Sequence, residues 1–241
     1  MLRIFSYELK RIIFNRMFFA LLIITGIYSY MILEREIILG IAFTAPFSPW
    51  SFAAYLANVL PLLMICLLFF LTLMYSDNER RIRHLTFAAS IEPFKLYFIK
   101  CASIIAGFLI MTLFVITLGI TFFAILFRFT YYISFIIPIV ITIIPCMLFI
   151  LGAGLLLGSI HLNTLYVLMI AALLLGFLPA FDFYGASFYS THPVTLPLGP
   201  DGEPEFSLPA LFILSRVFFS VAGILTGLLG IRRYKLQNLQ C

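Results

Sequence analysis

His84, His161 and His192, the cysteines Cys66, Cys101, Cys146 and Cys241, and the lysines Lys10, Lys95, Lys100 and Lys235 are the side chains best able to do chemistry in this sequence. A catalytic zinc is held when two histidines face one ion beside a glutamate, as in H-E-x-x-H. Here the three histidines fall in three different connecting segments, and no such pair occurs. A phosphate-cradling P-loop needs Gly directly before its Lys, whereas these lysines follow Leu9, Phe94, Ile99 and Tyr234. No C-x-x-C pair offers a metal or redox couple, and the cysteines form no disulfide framework. "GASF" at Gly185–Phe188 holds a serine without the G-x-S-x-G frame that presents a nucleophile. No pair of acids lies inside an apolar run, as an aspartyl intramembrane protease requires. The expectation is a chain that is not an enzyme, with no catalytic residue, metal or cofactor of its own.

One ionisable residue does interrupt an apolar run. Arg216 sits in "LFILSRVFFSVAGILTGLLG", where a charge costs several kcal/mol and calls for a partner. Two roles stay open for it. It can be structural, snorkelling outward or pairing with an acid such as Asp182, or it can contact an anionic substrate.

The elements that position these residues follow from composition. The chain is 63% hydrophobic and 10% charged, with 28 Phe in 241 residues. An ordinary soluble domain is roughly 45–50% apolar and about 25% charged, so this chain could not cover a core with polar surface. It must be a polytopic membrane protein. A helix needs about 20 apolar residues to cross the hydrocarbon. Six spans meet that need, at Met17–Leu33, Phe52–Tyr75, Cys101–Phe127, Ile133–Leu157, Asn163–Phe181 and Leu208–Ile231. Runs such as "FLIMTLFVITLGITFFAILF" lack the alternation of a membrane β-barrel. The fourth and fifth spans are joined only by "GSIHLN", which predicts a tight hairpin with Gly158, His161 and Asn163 at the turn.

Lys and Arg gather on the cytoplasmic side of membrane proteins. With both termini inside, every basic residue is cytoplasmic except Arg35, Arg128 and Arg216. The long outer loop 182–207 carries Asp182, Asp201, Glu203 and Glu205 and no Lys or Arg. The net charge of +5 is therefore a topology signal and implies no nucleic-acid partner. The N-terminus is long and mixed in charge without an A-x-A-like site, so no cleaved signal peptide is expected. The outer loop is long enough to fold back as a cap, or it can remain a solvated loop.

Two cytoplasmic segments stand out. "MLRIFSYELKRIIFNR", residues 1–16, read as a helix, puts Leu2, Phe5, Leu9, Ile12 and Ile13 on one stripe, with its charges mostly opposite. It suits a helix lying on the inner membrane surface, or a topogenic flank without fixed structure. The loop 76–100 begins with the solvated "SDNERRIRH" and then turns apolar at "LTFAASIEPFKLYFIK". A plain loop gains nothing by showing Phe87 and Ile91 to water. A docking surface does, because apolar knobs enter a groove while flanking charges set the register. The alternative is a short amphipathic segment lying on the bilayer. Within the spans, Gly154/Gly158 and Gly223/Gly227 have G-x-x-x-G spacing, which lets helix backbones approach closely.

The amphipathic "YELKRIIFNR" before the first span, the charged "YSDNERRIRHLTFAASIEPFKLYFIK" between the second and third, the short inner hairpin and the extended outer segment make up a recognisable order. Over essentially the whole chain it resembles the membrane subunit of ATP-binding-cassette (ABC) type-2 exporters. The resemblance implies an all-α fold of six transmembrane helices at 17–231, an N-terminal elbow helix and a cytoplasmic tail at 232–241. It implies that Thr86–Pro93 is a coupling helix, with Thr86, Phe87, Ser90, Ile91, Glu92 and Pro93 at an ATPase interface. The ATPase is expected as a separate subunit in two copies, binding ATP and Mg²⁺. A second permease copy, or a homologous permease, completes the pathway in the cell membrane, as in bacterial systems. In the family the second and fifth spans line the substrate cavity, which places Asn58, Asn163 and Tyr166 as candidates for its lining. The implied cargo is hydrophobic or amphipathic, such as a drug, lipid or peptide antibiotic. Rival readings are a stand-alone carrier or channel, for which Pro138 and Pro145 in the fourth span speak, and a membrane accessory or sensor subunit without transport.

Overall fold

In hydrocarbon every backbone N–H and C=O has to be satisfied within the protein, and an unbroken apolar run satisfies them as a helix. The computed structural model of the protein describes residues 2–42, 44–76, 93–178, 182–199 and 204–239, and it is built in this way. In chain order the helices are α1 Leu2–Ile13, α2 Arg16–Ile32, α3 Pro49–Tyr75, α4 Pro93–Phe127, α5 Ile136–Gly158, α6 Leu162–Phe177, α7 Ala186–Thr191 and α8 Ala210–Leu239. A π-helical turn, Leu33–Ile37, prolongs α2, and short 3-10 turns precede α5 and follow α7. Among the described residues the only β-type pairing is an isolated bridge between Leu198 and Pro204.

Five segments are long and apolar enough to cross a membrane: Arg16–Ile37, Pro49–Tyr75, Lys95–Phe127, Tyr132–Gly158 and Ala210–Arg233. The chain is thus a multi-pass helical membrane protein. The expected fifth span is the exception. Instead of Asn163–Phe181 it forms a helix of 16 residues, Leu162–Phe177, about 24 Å long where the hydrocarbon is about 30 Å thick. Other boundaries move for local reasons. Arg16 opens α2 and does not close the N-terminal helix, because the Asn15 side chain accepts the Met17 N–H at 3.1 Å. The second span begins at Pro49, where Ser48 caps the Ser51 N–H and a proline occupies the first turn. The third reaches back from Cys101 to Pro93, making α4 a helix of 35 residues.

The most deeply buried of the long helices is α3. It packs against α2, α4, α5, α6 and α7, and most of its side chains are buried. A helix that is apolar all round is suited to such a position, as it is to contact with lipid. The helices meet where side chains are small. Gly154 and Gly158 of α5 lie under Leu71 and Tyr75 of α3, and Gly119 of α4 lies under Tyr55. Gly152 of α5 and Gly223 of α8 bring their backbones into direct contact, and Gly227 faces Gly152. Both G-x-x-x-G pairs therefore sit at helix contacts, one on α3 and one on α5. Tyr55 adds a polar joint, bonding Ser29 of α2 and donating to the Val115 carbonyl of α4 at 2.9 Å.

Charge is sorted between the two ends. Tyr75 of α3, Tyr97 of α4 and Leu155 of α5 meet at one end, where α1 and the C-terminal part of α8 also lie. Arg3, Lys10, Arg11, Arg16, Lys95, Arg232 and Arg233 belong to this basic end. The opposite end carries Glu34, Glu36, Asp182 and Glu205, with Arg35 and Arg128. There residues 182–199 and 204–207 fold back over the bundle. Trp50, Ala53, Ala54, Ala57 and Tyr189 form a second buried cluster, with Phe188, Phe206 and Phe212 packed on it. Trp50 donates from Nε1 to the Pro204 carbonyl at 3.3 Å. The described part of the long loop is a cap, closed by aromatic packing.

Candidate functional site

Residues 77–92 connect α3 to α4, and Thr86, Phe87, Ser90, Ile91 and Glu92 lie outside the described residues. Pro93 is the first residue of α4. What is visible is the root from which this connection springs. Tyr75, the last residue of α3, donates to the Leu155 carbonyl of α5 at 3.1 Å. Its hydroxyl lies 3.4 Å from that of Tyr97, in the second turn of α4. Gly158 makes room for the Tyr75 ring, since a methyl there would lie 2.5 Å from it. The two ends of the connection are thus clamped together and tied to a third helix. Few sequence signals could have found this clamp: a tyrosine at the end of a span is ordinary, and its partners lie 22 and 80 residues away.

The N-terminal helix completes the root. Its apolar stripe packs against α4, through Ile12 above all. Ile12 is buried, and its methyl lies 3.0 Å from where a side chain on Gly107 would begin. Leu2, expected on that stripe, is exposed instead. Glu8 and Arg11 of α1, Met74 of α3, and Lys100 and Ser103 of α4 surround a crevice of about 20 Å³, room for a single water molecule. Arg11 is also held to Glu8 at 3.4 Å. The outward face of α1 shows Arg3, Tyr7 and Lys10, and Phe14 is exposed just after it.

The three residues expected to line a cavity do not meet in one. Asn58 lies on the half-buried stripe of α3, with Leu62, Ile65 and Phe69. That stripe runs between α2, which touches α3 through Thr25 and Cys66, and α6, whose Gly176 lies against Pro61. The Asn58 amide donates to Glu36 at 3.0 Å, a carboxylate that the π-helical turn brings to this side. Asn163 and Tyr166 are exposed on α6, at the head of an outward stripe continued by Val167, Ile170, Leu174 and Phe177. Asn163 is next to the basic end and Asn58 in the other half of the bundle.

Arg216 is the only charged side chain buried among the described residues. No ion pair to Asp182 forms. The Asp182 carboxylate accepts the backbone N–H groups of Ser187 and Phe188 at 3.0 and 2.8 Å and so caps α7. Arg216 Nη1 donates to the Phe183 carbonyl, and its guanidinium lies 4.5 Å over the Phe212 ring. Nearby, Tyr189 and Thr142 share a hydroxyl bond of 2.8 Å. Burial pushes the Tyr189 phenol up to about 12, against the lowering effects of that bond and of the Arg216 charge, so it stays protonated. No group of three or more His, Cys, Asp or Glu is placed to hold a metal ion among the described residues.

Compared with known proteins, the chain matches no family model, no curated protein and no solved structure.

Proposed function

We propose that this protein is the membrane subunit of an ABC type-2 exporter, driven by a separate ATPase and paired with a second copy of itself or a homologous subunit. The observation that carries this reading is the clamped root of the 77–92 connection. Tyr75 ties the end of α3 to α5 and meets Tyr97 of α4, and the amphipathic α1 is packed beside them. A displacement of that connection cannot be absorbed locally and passes into α3, which touches five other helices. A chain that only anchored a loop would have no use for such stiffness.

In this mechanism Thr86, Phe87, Ser90, Ile91, Glu92 and Pro93 dock on the ATPase, which binds ATP and Mg²⁺. Closure of the two ATPase subunits pulls the connection, and α3 and α4 carry the motion to the capped end. The basic end faces the cytoplasm of a bacterial cell, following the distribution of Lys and Arg. The six crossings are the five long helices together with α6 and the segment that follows it. Two copies facing each other across α3 and α6 enclose the pathway, with Asn58, Asn163 and Tyr166 among its few polar groups. The rest of that surface is apolar and suits a hydrophobic or amphipathic cargo.

The test is purification from native membranes, parent beside Phe87→Asp/Ile91→Asp. A partner bearing the G-x-x-x-x-G-K-[ST] motif is expected with the parent and is lost with the double variant. Well-folded parent protein that never retains such an ATPase would sink this reading and favour a stand-alone carrier.

A further inference from the structure

Lipid offers no hydrogen bonds to irregular backbone, so a non-helical stretch at membrane depth has to find them inside the protein. Residues 182–185 are such a stretch. The Phe183 carbonyl reaches Cys146, whose Sγ donates to it at 3.6 Å. Cys146 lies ten residues into α5, about 15 Å from the start of that helix. The Phe183 ring goes deeper, packing on Phe149 of α5 and Phe219 of α8 at 5.4 and 5.0 Å. Residues 182–185 therefore lie inside the bundle, and the chain leads on into α7.

Arg216 sits at the floor of this segment. Its guanidinium bonds the Phe183 carbonyl, faces the Cys146 sulfur at 3.8 Å and covers the Phe212 ring. Phe212 stacks on Phe188 at 4.0 Å, and Phe188 on His192 at 4.7 Å. A column of four side chains thus runs from the buried cation to the cap, and Trp50 packs against it through Phe188 and His192. Gly185 has a left-handed φ of +87°, and a side chain there would begin 2.6 Å from Arg216 Nη2. The guanidinium Nε has no partner among the described residues. A leucine would fill this place without a charge, but it would leave the Phe183 carbonyl with only a weak thiol donor.

We propose that Arg216 is a latch. It pins the buried segment 182–191 onto α5 and α8 and so keeps the cap shut over the end of α3. Segment and cap move as one because the aromatic column joins them, and losing the Phe183 contact frees both. Its use as the exit gate rests on the exporter reading. The latch itself is a property of the isolated chain and is tested without an ATPase.

Trp50 is the only tryptophan in the sequence and is fully buried in the cap, so its fluorescence reports the cap alone. The experiment is acrylamide quenching and emission maximum of the purified full-length protein in lipid nanodiscs. Arg216→Gln is expected to shift the emission to the red and raise quenching several-fold at temperatures well below unfolding. Arg216→Lys keeps a donor for Phe183 and restores part of the shielding. Gly185→Ala displaces the guanidinium while leaving its charge, and is expected to act like Arg216→Gln; it decides the matter if the glutamine variant does not fold. Phe218→Ala, on the exposed face of the same helix, leaves Trp50 unchanged. Folded Arg216→Gln and Gly185→Ala proteins whose Trp50 stays shielded until they melt would overturn the latch, leaving Arg216 a general stabiliser.

Discussion

At the scale of single residues, the contact between α5 and α8 is set by the missing side chains of glycines. A methyl on Gly223 would overlap the Leu148 carbonyl and lie 2.5 Å from the Phe149 nitrogen. Both are backbone atoms and cannot step aside. Gly223→Ala is therefore expected to cost roughly 1–3 kcal/mol as overpacking, read as a lowered melting temperature in detergent. Gly227→Ala meets only the Cα of Gly152, at 3.5 Å, and is expected to be nearly neutral in the same assay. The spacing made both glycines visible in the sequence, but only geometry separates the one that matters. Arg216 was equally visible as a charge in an apolar run. Of the roles open to it, the ion pair with Asp182 does not form, because the first N–H groups of α7 claim that carboxylate. Asn58 was read as cavity lining, and its bond to Glu36 was out of reach of pattern reading. A π-helical turn adds one residue to its cycle and moves every later side chain round the helix.

Among the elements, α1 depends most on its neighbours. A helix of 12 residues is marginal by itself in water, and α1 draws its order from packing on α4. Ile12→Asp removes the buried anchor of that contact, where even truncation of an isoleucine costs about 2–5 kcal/mol. Hydrogen exchange over residues 2–13 is expected to become fast while exchange in the core of α4 stays slow. Continued slow exchange in the variant would mean that the bilayer, not α4, orders this helix. The amphipathic period announced the helix, but it could not say whether protein or lipid covers the apolar stripe, since both are apolar solvents. The short α6 shows the same limit. Hydropathy stays high past Phe177, so composition drew one long span. The stop was written nonetheless in Pro179, since the residue before a proline is driven out of helical geometry. Leu178 is indeed extended, at φ −94° and ψ 98°. Apolar sequence beyond such a stop reads equally well as helix or as non-helical backbone of the kind described at residues 182–185.

For the molecule as a whole, the sorting of charge makes a direct prediction about sidedness. In a cysteine-free background, Arg3→Cys and Arg233→Cys are expected to react with an impermeant maleimide from the same side of the membrane, and Glu205→Cys from the other. Arg3 and Arg233 labelled from opposite sides would contradict the shared end seen for α1 and α8. This feature was the most legible of all, because charge is distributed along the sequence in the order in which the chain crosses. The cap was the least legible, because it joins distant parts of the chain. Trp50 and the Pro204 carbonyl it binds are 154 residues apart. The end of α3 is made early in synthesis, while the side chains that cover it are made after α6 has left the ribosome. Through most of its manufacture the protein therefore carries an unsealed tryptophan face, and the seal is among the last contacts that can form. A chain stalled or cut before residue 204 would hold several of its helices and still be marked as unfinished by that bare surface.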